Sequence, residues 1–170
     1  MEINEVLLTI AEVSVALAGF GGIAAGLGYR SRGRWNDQDR FRLLAMVSVS
    51  LGIVFACLVP FTLQSIGIQD YWLVAGGLVL LIPISSQIIQ FRLFRHGLPS
   101  GFSMSTTLSI LVSNVGGLSF LGLLLARVPG KDTEQGFYLA AITFLLLSPA
   151  ILFLRLIKTS FIAKIDGEES

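Results

Sequence analysis

The sequence predicts an all-α integral membrane protein, a compact bundle of five transmembrane helices with the N-terminus outside and the C-terminus cytoplasmic. Three observations carry this. Apolar residues make up 54% of the 170-residue chain and charged residues 14%, with mean hydropathy +0.79. A soluble domain carries about 25% charged residues, so charge here is too scarce to coat a water-facing surface. Five apolar runs reach about 20 residues each, the length that crosses a ~30 Å hydrocarbon core at 1.5 Å per residue. Lys and Arg are also divided unevenly between alternate connections, as the positive-inside rule requires.

The runs fall at residues 4–27, 41–66, 71–91, 103–126 and 137–157, and residues 1–170 read as a single polytopic domain. They lack the strict alternation of barrel strands and are about twice as long as such strands need. The first run is rich in Gly and Ala. Its acidic start, Met1-Glu2-Ile3-Asn4-Glu5, does not suit a cleaved signal peptide, so it is expected to be retained. Its glycines and Glu12 leave an alternative of four spans plus a re-entrant or interfacial first helix.

The second helix is expected to start outside the lipid, because Asn36 precedes Asp37-Gln38-Asp39 as a cap precedes an acidic first turn. Asp70 suits the cap of the third helix and Ser100 that of the fourth. Asp132 followed by Gln135 reads as a capping box for the fifth. Tyr71, Trp72 and Tyr138 open runs at one interface, and Tyr29 and Trp35 lie near the other, the arrangement of aromatic belts.

Charge sets the orientation. Arg30, Arg32, Arg34, Arg40, Arg42, Arg92, Arg95, Arg155, Lys158 and Lys164 fall on one side of a five-span chain, and only Arg127 and Lys131 on the other. Ten against two puts the first set in the cytoplasm and the protein in the plasma or inner membrane. The first run has no Lys or Arg before it, so this rule fixes the last four spans and is silent on the first.

Candidate functional residues are few. Glu12 is the only acid deep inside a run, ~12 Å from the outer edge. A charged carboxylate at bilayer depth costs roughly 3 kcal/mol on insertion scales, and intramembrane acids are functional by default. Glu12 can hold a proton, bind a passing cation or make a structural hydrogen bond. Asn114 lies at similar depth, ~14 Å from the outer edge of a ~30 Å core, and is the natural hydrogen-bonding partner. Thr106, Ser109, Ser113 and Gly116 recur at helical spacing on one face. Such hydroxyls commonly join helices, or they line a hydrated pathway. Gln87 and Gln90 follow Pro83 near the inner end and are candidates for a vestibule.

Ala18, Gly22 and Gly26 form a small-xxx-small row, with Gly19 beside it. Small rows let helix backbones approach closely, so a packed central helix is expected, with a hinge or pore wall as the alternative. Arg30, Arg32 and Arg34 are a topology signal first and a site for anionic lipid head groups second.

Much is excluded. Net charge is +1, which gives no electrostatic case for nucleic acid. One Cys and one His, Cys57 and His96, cannot make a four-ligand zinc site. No HExxH, phosphate-binding loop or membrane-embedded base beside a serine is present. No enzyme activity, metal or cofactor is therefore expected. The expected function is a homo-oligomeric channel or carrier for a small ion or proton that uses the Glu12 carboxylate. The alternative is a non-catalytic membrane subunit or scaffold that binds a partner protein through the small-residue first helix. Lipids and either a second copy or a membrane protein are the expected partners.

Overall fold

The computed structural model describes residues 3–32, 37–85, 88, 104–128, 130 and 133–165. Among them the protein is an all-α bundle with no strand: α1 (Ile3–Arg32), α2 (Asp37–Ser65), α3 (Tyr71–Val79), α4 (Met104–Leu125) and α5 (Glu134–Ile165). Three stretches are long and apolar enough to cross a membrane, Ile3–Leu27, Arg42–Ser65 and Glu134–Lys158; Tyr71–Ser85 and Ile110–Leu125 are apolar but shorter.

The helices run up and down. Gly21 of α1 faces Met46 of α2, Gly52 of α2 faces Ile82, Gly76 of α3 faces Leu124 of α4, and Gly117 of α4 faces Leu145 of α5. α5 sits in the centre, packed on α1, α2, α3 and α4, while α1 lies at the edge against α2 and α5. The small-residue row had pointed to α1 as the central helix. The centre belongs instead to α5, whose Tyr138, Ala141, Ile142, Leu145, Ser148, Leu152 and Leu156 form a continuous buried stripe. Opposite them, the bundle surface is apolar. Phe20, Ile23, Leu51, Phe55, Leu81, Val112 and Leu154 are among many large exposed hydrophobics, far more than a water-facing surface carries.

Prolines organise three helices. Pro60 and Pro149 lie inside α2 and α5. A proline removes the hydrogen bond to the carbonyl four residues earlier. For Pro60 that carbonyl is Ala56, and it accepts instead from the Tyr138 hydroxyl of α5 at 2.7 Å. Pro83 is fully buried and takes the N–H from the Val79 carbonyl. There α3 is interrupted, with a turn at Leu80 before the chain is helical again to Ser85. The expected run from Tyr71 continues as one apolar stretch to Ser85, with Leu80 N–H on the Gly76 carbonyl and Ile84 N–H on that of Leu80 carrying it past the lost bond.

The ends were partly foreseen. Asp70 is the N-cap residue of α3, but its side chain makes no capping bond. Its carboxylate pairs with Arg127 at 3.0 Å, and its backbone carbonyl accepts from Leu73 and Val74. The other three expected caps rest on Asn36, Ser100 and Asp132, which lie outside the described residues. α5 begins at Glu134 and continues to Ile165, beyond the 137–157 run in both directions.

α2 and α4 end in the same way. Ile68 N–H bonds the Leu63 carbonyl and Gly67 N–H that of Gln64; Val128 N–H bonds Leu123 and Arg127 N–H bonds Leu124. Both are Schellman closures with the penultimate residue left-handed, Gly67 at φ 82 and Arg127 at φ 53. Glycine holds that conformation freely, while another residue costs roughly 1–2 kcal/mol. Arg127 bears the cost and gains only an exposed ion pair, worth about 0–1 kcal/mol. Gly67→Ala should thus lower the thermal midpoint in detergent. Arg127→Gly should hold or raise it, and a clear fall in Arg127→Gly would mean that the ion pair outweighs the backbone strain.

Candidate functional site

α1 has two unlike faces. Leu7, Ala11, Ser14, Gly21 and Ala25 are buried, at spacings that keep one side of a helix turned to α2 and α5. Ser14 satisfies its hydroxyl within the helix by donating to the Ile10 carbonyl at 2.8 Å. Glu12, Gly19, Gly22 and Gly26 are exposed, and Ala18 is half-buried. Glu12 makes no side-chain hydrogen bond or ion pair among the described residues. Among the described residues, no neighbouring atom stands within 4 Å of where a Cβ would lie on Gly19, Gly22 or Gly26. The predicted packing row is an open face of the single chain.

The glycines that admit close neighbours are others. A Cβ on Gly76 would stand 2.8 Å from Leu124 Cδ2, and one on Gly117 2.8 Å from Leu145 Cδ2. Met46 lies against Gly21 and the Phe144 ring against Gly116. Gly116 was marked by its place in the α4 stripe; Gly76 and Gly117 were not, because a glycine in an apolar run does not reveal which way it faces. Gly116-Gly117 could have been found as the pair that interrupts an otherwise bulky α4.

Asn114 lies inside, 3% exposed, with an interaction of its own there. Glu12 is outside, so the predicted Glu12–Asn114 hydrogen bond does not form within one chain. The two helices also share little contact, since α1 packs on α2 and α5 and α4 packs chiefly on α5.

The described part of the α4 polar stripe, Ser113 and Gly116, lies against α5. Ser113 donates to the Phe144 carbonyl and accepts from Ser148 at 2.9 Å. All three hydrogen-bonding residues are in the packed interface, with Ser113 and Ser148 buried. The Phe144 carbonyl lies just before Leu145, whose own carbonyl has lost its helical donor to Pro149. At Ser113 and Ser148 the hydroxyls join helices. The side chains of Thr106 and Ser109, and Gln87 and Gln90 altogether, lie outside the described residues. So do the side chains of Arg30 and Arg32 and the whole of Arg34.

Sequence reading had placed Arg42 among the surface charges of the topology signal. It is 6% exposed and engaged within the bundle. Arg155 and Lys158 lie toward the same end, where α1 finishes and α2 begins, while Arg127 lies at the opposite end. No group of three or more His, Cys, Asp or Glu side chains that could hold a metal ion occurs among the described residues.

The fold and this face define a class: an apolar, up-and-down helical bundle with a closed core and one helix whose small, acidic side is left open. Comparisons with protein-family models, with curated proteins and with solved structures found no match to this chain.

Proposed function

We propose that this chain is a five-span protein of the plasma or inner membrane that works as a homo-oligomer, and that Glu12 handles a small cation or a proton at the boundary between copies. One observation carries the reading: Glu12 is exposed inside an apolar 25-residue stretch, on the side of α1 that also bears Gly19, Gly22 and Gly26. A carboxylate facing lipid is costly. A second helix lying on the glycines covers it and lets backbones approach closely. The ten-to-two division of Lys and Arg supports a cytoplasmic C-terminus.

The packed interior argues for a boundary pathway. Leu121, Leu124, Tyr138, Ile142 and Leu145 are each at most 1% exposed, so they leave no polar route between α4 and α5. The same closed core favours a second reading, a non-catalytic membrane subunit whose α1 face receives a partner protein.

Proton and cation flux through proteoliposomes separates the two. Wild-type flux that falls at least tenfold, on the order of the roughly 1.4 kcal/mol a strong charge contact contributes, in a well-folded Glu12→Gln variant supports transport. Absence of flux from wild type for every small cation tried, with purification in fixed stoichiometry with another protein, would leave the partner-binding reading.

A further inference from the structure

The Tyr138 hydroxyl does more than fill the core. It reaches from α5 to the one α2 carbonyl that Pro60 deprives of its helical donor, Ala56, at 2.7 Å. Tyr138 and Ala56 are both 0% exposed, so water cannot serve that carbonyl in the closed bundle. The phenol is held in place by Trp72, whose ring centroid lies 5.3 Å from that of Tyr138. Trp72 in turn belongs to the first turn of α3, beside the Asp70–Arg127 pair. Next to Ala56 stands Cys57, the single thiol of the chain, also 0% exposed.

A proline inside a helix weakens the ladder at one turn and concentrates bending there. The ladder of α2 is thus interrupted just before its last residues, Pro60–Ser65, and the missing bond is supplied by a neighbouring helix. A bond made between helices can be broken without unwinding either of them. We propose that Pro60 is a joint in α2 and that the Tyr138 hydroxyl is its latch: bonded, it holds the terminal part of α2 against α5; released, that part swings away at the end of the bundle bearing the α2–α3 and α4–α5 turns, and uncovers Cys57. Trp72 is the cap that keeps the latch dry. The latch stands whether or not α1 mediates assembly, since Tyr138 and Ala56 are fully buried within the chain and Glu12 is exposed.

Cys57 reports the joint without engineering. The rate of alkylation by N-ethylmaleimide is measured on the full chain in detergent, under native conditions, with folding followed by size-exclusion profile. Wild type should react slowly. Tyr138→Phe should react about tenfold faster, the factor expected when one buried hydrogen bond no longer opposes local opening. Pro60→Ala restores an N–H for the Ala56 carbonyl, so Tyr138→Phe combined with Pro60→Ala should return to the slow rate. Equal rates in wild type and Tyr138→Phe would overturn the latch. A double variant as fast as Tyr138→Phe alone would overturn it too, because the effect would then lie in packing and not in the freed carbonyl. If Tyr138→Phe does not fold, recovery of the folded profile in the double variant supports the proposal, and failure to recover overturns it.

Discussion

Gly22→Ile should leave the fold of the single chain intact and abolish its assembly. Among the described residues nothing stands within 4 Å of a Cβ at this position, and Gly22 is exposed, so the new side chain points away from its own bundle. Replacing glycine inside a helix removes backbone freedom from the unfolded state and is worth roughly 0.5–1 kcal/mol. The thermal midpoint of the isolated chain is therefore expected to hold or to rise a little. A branched side chain in the middle of the Gly19, Gly22, Gly26 face would keep a facing helix from close approach, and close approach is what makes such contacts better than contacts with lipid. Crosslinking in lipid and size-exclusion in mild detergent should show oligomer for wild type and monomer for Gly22→Ile. Unchanged assembly would remove this face from the interface, and with it the subunit boundary on which Glu12 is proposed to act. A fall in the midpoint of the isolated monomer would contradict the open face itself.

The opposite outcome is expected at the seam of α4 and α5. Gly117→Val should unfold the chain readily. A Cβ there would stand 2.8 Å from Leu145 Cδ2, 2.9 Å from its Cγ and 3.5 Å from the Ala141 carbonyl oxygen. Leu145 is 1% exposed, with Ala141, Ile142 and Leu121 fully buried around it, so it has little room to yield. Overpacking of this kind costs about 1–3 kcal/mol. Leu145→Ala alone should cost about 2–5 kcal/mol through the cavity it leaves. The two together exchange a small residue for a large one across the same contact, so the double variant should be more stable than the sum of the single losses predicts. Reversible denaturant unfolding in detergent measures all three. Strict additivity would show that the two side chains do not share this space.

The contrast between these two glycines marks the limit of what spacing reveals. Gly22 sits in a visible small-xxx-small row and faces outward; Gly117 sits in a plain Gly-Gly pair and lies against Leu145 in the packed seam of α4 and α5. A soluble helix betrays its inner face by alternating polar and apolar sides. These helices are apolar all round, so that periodic signal is weak and azimuth cannot be read from it. Level was misjudged for Glu12 and Asn114: the contacts of Gly117 with Leu145, Tyr138 with Ala56 and Gly21 with Met46 set Asn114 near the Gly19–Gly21 part of α1, about two helical turns from Glu12. Direction was not readable either, and it places Glu12 outside and Asn114 inside.

Prolines show the same division. Pro60, Pro83 and Pro149 each announce a missing backbone bond wherever they stand in a helix. The donor that compensates for Pro60 comes from Tyr138, 82 residues on in the chain, a pairing made only by the packing of α2 on α5. At the ends, Gly67 is an ordinary left-handed helix stop, and residue type alone suggests it. Arg127 in the same role goes against residue preference. Its side chain meets Asp70 across the bundle end, a contact between segments 57 residues apart.

What the sequence determined by itself is the all-α class, the approximate length and order of the helices, and the collection of positive charge in alternate connections. These follow from composition and from properties local to a few consecutive residues: apolar run length, helix-breaking residues and charge. What only the tertiary structure decided is that α5 and not α1 is central, that the Ser113 hydroxyl bonds to α5, that Arg42 is buried, and that the Glu12 face is open among the described residues. The physical reason is that each of these depends on how helices are rotated about their own axes and which neighbours they meet, and in uniformly apolar helices that choice is made by shape and by a few buried hydrogen bonds between residues far apart in the chain.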